Sequence, residues 1–222
     1  MKIRLAVSAA LIAWCVGSPV SALDLEQERA QFDAKVLKEL QAVSPRAAEL
    51  FAQANQAREK EDHARARDLY AQVAALVPGS PHAVRREAIE EMILQHRDRS
   101  IELARAAVEL APSAEDLSSL ALVLATSPGE GEIPEADRKE ALDVARRAAD
   151  LEPGNYYVQV SLAQAAMLNQ DIDALDGAAG RMAALAPEEP AGFYFQAIAQ
   201  ASQGELGKAE RRRRADADPG DR

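Results

Sequence analysis

The 222-residue chain has one cysteine, Cys15, one tryptophan, Trp14, and three histidines, and only 4% of its residues are aromatic. A lone cysteine excludes an intramolecular disulfide and any cluster of thiolate ligands. His63, His82 and His96 show no H-E-x-x-H spacing, and no glycine-rich phosphate loop follows a strand, so the residues offer neither a metal site nor a nucleophile with its base. Strand patterning is missing too, because no stretch alternates polar residues with apolar β-branched ones. Basic charge is in deficit, with 26 Lys and Arg against 36 Asp and Glu, a formal net charge of −10. Such a chain repels nucleic-acid phosphates, and no nucleic-acid partner is expected.

Long apolar runs are also lacking. The longest extends from Leu5 to about Gly17, behind Lys2 and Arg4 and ahead of Val20-Ser21-Ala22. This is the layout of a secretory signal peptide, with cleavage expected after Ala22. Its roughly 13 apolar residues fall short of the ~20 that span a bilayer, which sets an uncleaved anchor aside. Lipidation at Cys15 is the rival reading, but Trp14 stands where such signals carry a small side chain. Cleavage leaves 200 residues without cysteine, with 24 basic and 36 acidic side chains and a net charge of −12. The expected location is periplasmic or secreted, where stability rests on packing alone.

What the chain does have is alanine, leucine and charged helix formers in helical spacing: Leu50, Ala54, Ala57; Leu69, Val73, Leu76; Leu103, Ala107, Leu110; Val144, Ala148, Leu151. Four phrases punctuate it, AALVPGS, VELAPSA, ADLEPGN and AALAPEE, whose prolines at 78, 112, 153 and 187 lie 34, 41 and 34 residues apart. A proline stops one helix, and the capping residue just behind it starts the next, which turns neighbouring helices antiparallel. Ser44-Pro45 and Ser80-Pro81 place an N-cap hydroxyl ahead of a first-turn proline, and Ser113 and Asn155 suit the same role. A fixed period of this length signals stacked repeats.

The chain resembles the tetratricopeptide repeat family, whose 34-residue unit is a pair of helices with small residues at their crossing and a closing proline. The second-helix signature reads as Ala66, Tyr70, Pro78; Ser100, Ala104, Pro112; Ala141, Ala145, Pro153; and Ala174, Ala178, Pro187. In the first helices a large residue precedes a small one by four positions: Leu50 and Ala54, Val84 and Ala88, Gln159 and Ala163, Phe193 and Ala197. Ser118 and Leu122 fit this pattern poorly, the third unit carries about seven extra residues in SPGEGEIPEADRKE, and the repeats have no tryptophan. The resemblance implies an all-α, right-handed superhelical solenoid of four full repeats and a degenerate C-terminal one that acts as a terminal cap. The expected division is a signal peptide over 1–22, an N-terminal capping helix over 23–44, and a repeat domain over 45–219. Its units run about 45–80, 81–114, 115–155, 156–189 and 190–219, and 220–222 is a tail. The apolar stripe Phe32, Val36, Leu37 and Leu40 lets the front helix pack on the first repeat, with a dimerising coiled-coil arm as the alternative.

Such arrays bind protein segments on the concave wall lined by first helices. By resemblance the wall comprises Phe51, Asn55 and Arg58; Arg85, Ile89 and Met92; Ser119 and Val123; Tyr157, Val160, Gln164 and Met167; and Tyr194 and Ile198. The family's carboxylate-holding groove is not expected, since Phe51 replaces its lysine and the third unit offers Asp116 and Ser119. Five of the eight Phe and Tyr residues, Tyr156, Tyr157, Phe193, Tyr194 and Phe195, cluster in two neighbouring first helices, either as inter-repeat core or as an interface hot spot. The histidines read as solvated turn residues, Glu90, Glu91, Glu188 and Glu189 as solvated helix faces and ends, and Arg211 to Arg214 as part of a solvated tail. No catalytic residue, metal or cofactor is expected. The function that follows is a non-catalytic scaffold of the cell envelope that holds a segment of a partner protein in its groove. The alternatives are an assembly factor or subunit of an envelope or secretion complex that uses its convex face or ends, or a small-ligand binder or enzyme built on a closed polar pocket.

Overall fold

The computed structural model describes the backbone of residues 22–127 and 131–217 and side-chain surroundings between Gln27 and Gly204. The signal segment expected at the front, with Cys15, and the tail behind Ala217 lie outside the described residues, and the side chains of Arg211 to Arg214 lie outside them as well. The described residues form ten α-helices: α1 Ala22–Val43, α2 Pro45–Glu59, α3 His63–Leu76, α4 Pro81–Ile93, α5 Arg97–Leu110, α6 Ala114–Leu124, α7 Glu135–Leu151, α8 Tyr156–Asn169, α9 Ile172–Leu185 and α10 Pro190–Ala217. None is long and apolar enough to cross a membrane. Each helix packs on its neighbours in the chain, and among the first helices α6 also touches α4 on one side and α8 on the other. The result is a solenoid of four helix pairs, α2–α3 to α8–α9, closed by α10.

Small residues mark the crossings. Ala54, Ala88, Ala121 and Ala163 on the first helices and Ala66, Ala104, Ala145 and Ala178 on the second are all fully buried. A methyl is the largest group that fits where two backbones approach this closely. In the third unit the large and small pair is Leu117 and Ala121, one residue ahead of the Ser118 and Leu122 register. The preceding connection explains it: α4 begins three residues after Pro78, α6 only two after Pro112. The expected pair Phe193 and Ala197 is replaced by Phe195 and Ala199, while Phe193 stays 53% exposed. Gly192 sets that register, since a Cβ there would meet Ala183 N at 2.7 Å, so α10 turns its Gly192, Phe195 and Ala199 stripe onto α9. The fifth unit is one continuous helix rather than a pair, because no proline or capping residue interrupts GELGKAE.

Of the four capping residues expected from the sequence, three cap with their side chains and Ser80 does not, and His96 and Pro134 at the starts of α5 and α7 make no side-chain capping bond either. Ser44, Asp62, Ser113, Asn155 and Asp171 each accept a backbone N–H of the following turn. Ser80 occupies the N-cap position of α4, yet its buried hydroxyl makes no capping hydrogen bond. The turns inside the units carry a device the prolines do not announce. Glu61, Gln95 and Gln170 adopt left-handed backbone angles, with φ of 59°, 66° and 57°. Behind each, the N–H of Asp62, His96 and Asp171 reaches back to Ala57, Glu91 and Ala166 O at 2.9 Å, closing the helix end. Non-glycine side chains are strained in this region.

Two stability measurements check these points. Gln95→Gly and Gln170→Gly should each raise stability by about 0.5–1 kcal/mol in urea unfolding, the relief of αL strain less the added freedom of glycine in the unfolded chain. Gly192→Ala should cost about 2 kcal/mol through overpacking against the Ala183 backbone. Gly204→Ala, where nothing lies within 4 Å, should instead gain about 0.5–1 kcal/mol.

Candidate functional site

The inner wall divides into a covered half and an open half. At the amino end α1 lies along α2 and reaches α4 with its side chains. Its Val36 and Leu40 are buried in one apolar cluster with Ala47, Phe51, Ala54 and Tyr70. Phe51, expected on the wall, is fully buried, its ring edge-on to Tyr70 at 5.3 Å. Asn55 is 8% exposed and accepts the Tyr70 hydroxyl at 2.6 Å. Burial pushes the Tyr70 phenol up to about 12, so it stays protonated and donates.

Polar contacts tie α1 to the array. Asp33 accepts Arg86 Nη2 on Oδ1 at 2.6 Å and Arg58 Nη2 on Oδ2 at 3.5 Å, one oxygen for each guanidinium. Arg58 is held below the usual guanidinium range by burial and then by Arg86, a like charge that Asp33 offsets. Phe32 stands edge-on to His82 at 5.4 Å between centroids, and the Arg85 guanidinium lies 5.2 Å from its ring centre. Burial and the neighbouring Arg85 lower the His82 pKa, and Glu39 faces the ring at 3.6 Å. Sequence reasoning missed Asp33 and Arg86. Its one available signal was the Arg85-Arg86 doublet in a chain with an excess of acid.

The middle of the array is packed rather than open. Arg85, expected on the wall, is 5% exposed and donates to Asp116 Oδ1 at 2.8 Å, while Asp116 also accepts the Ser113 hydroxyl at 2.6 Å. Met92 and Val123 are core residues, and Ile89 is half-buried against the same cluster. The solvated reading of Glu90 and Glu91 does not hold. Both are buried, with His63 Nδ1 donating to Glu90 at 2.7 Å and His96 Nδ1 to Glu91 at 2.5 Å. Helix α4 is enclosed by α3, α5 and α6, which leaves it no fully solvated face. Burial raises the pKa of Glu87 on the same helix, against the pull of Arg99.

Towards the carboxyl end the wall opens. Tyr157 is 45% and Tyr194 40% exposed, with Val160, Gln164, Met167 and Ile198 partly buried beside them. Residues 157, 160 and 164 share one face of α8, as 194 and 198 share one face of α10. The aromatic cluster therefore splits between its two readings: Tyr156 and Phe195 are core, while Tyr157, Phe193 and Tyr194 are exposed. Elsewhere a solvent-open cleft of about 580 Å³ lies between Gln95–Arg99 and Glu132–Pro134. Among the described residues no three His, Cys, Asp or Glu side chains gather as metal ligands.

Solved structures with the same course of helices include a thermophilic tetratricopeptide protein of Thermus thermophilus, with a TM-score of 0.62 at 17% identity over 73% of this chain and 86% of that one. The MamA protein gives 0.55 at 17% identity over 74% and 86%. YrrB, described as a tetratricopeptide protein with an unusual peptide-binding site, gives 0.53 at 14% over 75% and 82%. The fold is a tetratricopeptide-like solenoid. No protein-family model and no curated protein sequence matches the chain. Of the expected wall residues, Tyr157 and Tyr194 near the carboxyl end are exposed, and Arg58, Ile89, Ser119, Val160, Gln164, Met167 and Ile198 are partly buried.

The Arg85–Asp116 pair links the first helices of the second and third units, so its disruption is measurable. Asp116→Ala, which strands a buried guanidinium, should cost about 3 kcal/mol in thermal or urea unfolding, and Arg85→Met combined with Asp116→Leu should recover most of the loss.

Proposed function

We propose that the protein is a non-catalytic interaction scaffold that holds a segment of a partner protein against the open, carboxyl-terminal half of its concave wall. The observation that carries this reading is the exposure of Tyr157, Phe193 and Tyr194 on α8 and α10, in a chain with only eight Phe and Tyr residues. Exposed aromatics beside partly buried aliphatic groups provide large contact area with little side-chain entropy to lose, and such residues dominate interface energetics. The likeness to YrrB, described as a tetratricopeptide protein with an unusual peptide-binding site, supports a peptide segment as the kind of ligand. The signal-like sequence at Lys2 to Ala22 supports the cell envelope as its location, and hence an envelope protein as the partner. The reading involves no cofactor.

Photocrosslinking in intact cells tests it, with a photoreactive residue at Tyr194 and a control at exposed Arg147 on α7. One defined envelope protein captured from Tyr194 and not from Arg147 is the expected result, and capture from neither site or from Arg147 alone overturns the reading. Tyr157→Ala with Tyr194→Ala should weaken the captured partner at least tenfold, about 1.4 kcal/mol, and Tyr157→Phe with Tyr194→Phe, which keeps the edge-on contacts with Tyr156 and Phe195, should retain the melting temperature of the purified protein.

A further inference from the structure

We infer that α1 is a displaceable occupant of the wall, and that the surface beneath it receives an acidic amphipathic helix of the partner protein carrying an aromatic residue next to a carboxylate. The inference rests on the groove reading above and adds its regulation and the chemistry of the ligand.

Four observations converge. Of the six residues of the first two units expected to face a ligand, three meet α1: Phe51 shares its apolar cluster, Arg58 pairs with Asp33 and Arg85 lies over Phe32, while Asn55 bonds Tyr70 and Ile89 and Met92 pack in the neighbouring cluster. The contact is a recognition pattern: Asp33 gives one oxygen each to Arg58 and Arg86, and Phe32 sits against His82 and under Arg85. Removal of Asp33 would leave two guanidinium groups facing each other, Arg86 with a buried Nε that has no hydrogen-bond partner among the described residues. An anion is therefore what the site favours, and in a chain of net charge −10 this local positive charge selects a carboxylate by complementarity.

The fourth observation is how lightly α1 is held. Among its described side chains only Val36 and Leu40 are fully buried, with Phe32, Asp33 and Leu37 partly so. Helix α6, half its length, buries eight of its 11 residues. A single residue, Ser44, joins α1 to α2, and its hydroxyl caps α2 rather than α1. Release of α1 thus breaks no helix of the array and needs rotation at one position. While tethered, α1 competes at a high effective concentration and keeps weak or non-complementary ligands off the wall.

The test uses the full chain and, as probe, a fluorescein-labelled peptide of Asp24 to Val43 followed by anisotropy. The peptide should bind the Phe32→Ala, Asp33→Ala chain at least tenfold more tightly than the unaltered chain, and a peptide with Asp33→Ala should bind that variant at least tenfold more weakly than the native peptide. Equal binding to both chains, or no binding to a variant with unchanged helical circular dichroism, overturns the inference. Asp33→Asn supplies the same comparison if the double variant does not fold. Hydrogen exchange on the unaltered protein reads the same point without substitution: α1 amides should exchange at least tenfold faster than those of Leu69 to Val73 in α3, and equal protection would make α1 part of the cooperative core and end the proposal. Failure here leaves capture from Tyr194 standing, since that residue lies at the other end of the array. Failure of that capture alongside successful peptide exchange removes only the open-half reading.

Discussion

The close approach of helix backbones at buried alanines is the constraint on which the rest of the structure depends. With aromatics at 4% of the chain, the core cannot be filled by bulk, so helices must come together until methyl groups and backbone touch. At the crossings of the second unit this brings the Ser100 hydroxyl within 2.7 Å of Ala88 O, a hydrogen bond from one helix of the pair to the backbone of the other. A thin core also leaves long polar side chains no path to water. Helix α4, covered by three neighbours, consequently buries Arg85, Glu87, Glu90 and Glu91; Arg85 pairs with Asp116 and Glu87 with Arg99, while Glu90 and Glu91 accept hydrogen bonds from His63 and His96. The ion pairs follow from the alanines, since a bulkier core would hold the helices apart and let these groups reach solvent.

Because the crossing fixes which residue must be small, the length of each connection fixes the phase of the next helix. One residue fewer after Pro112 than after Pro78 moves the buried pair to Leu117 and Ala121, and the partly polar Ser118 then bonds Ser161 on α8 at 3.0 Å instead of filling the core. The seven additional residues of the third unit are accommodated in the same way. Arg97 donates to Leu124 O and Thr126 O at 3.2 and 3.3 Å and pairs with Asp137 at 2.8 Å, so that the end of α6 and the start of α7 are held although the turn between them is long. The insertion lengthens the chain without shifting the register of α8, whose Ala163 is buried ten residues after Pro153, as Ala88 is ten after Pro78.

The parts of this architecture visible in the residues are those where one residue type has one physical use. Proline stops a helix, serine and asparagine begin one, and alanine at a fixed period marks a crossing, so the helix pairs and most of their buried small residues could be read directly. What could not be read depends on neighbours distant in sequence. Glu90 and Glu91 look like a solvated doublet until α3 and α5 are laid over them. Glu61, Gln95 and Gln170 show no glycine to announce a left-handed turn. The aromatic cluster was visible as a cluster, but the burial of Phe195 and exposure of Phe193 and Tyr194 depend on Gly192, whose missing Cβ lets α10 approach α9, and the burial of Tyr156 rather than Tyr157 on the phase of α8 behind its Asn155 cap. Likewise the wall was legible as a set of positions while its occupation by α1 was not, because Asp33 acquires meaning only from Arg58 and Arg86, 25 and 53 residues away.

A solenoid has two ends at which a repeat face lacks its next neighbour, and this chain treats them differently. At the amino end the exposed apolar wall and its two arginines are covered by a charged helix that supplies both an aliphatic stripe and a carboxylate. At the carboxyl end α10 closes the array with Phe195 and Ala199 and leaves tyrosine and phenylalanine rings in solvent. If covering apolar surface were the only requirement, α10 could have carried polar residues at 193 and 194, as its neighbours Gln196 and Gln200 show that the helix accepts them. Tyr194 gains an edge-on contact with Phe195 at 5.7 Å between centroids, so Phe193, 53% exposed, is the ring with the least return in packing. The two ends differ accordingly: one is filled by a segment of the chain itself through a charge-specific contact, and the other keeps partly exposed aromatic rings.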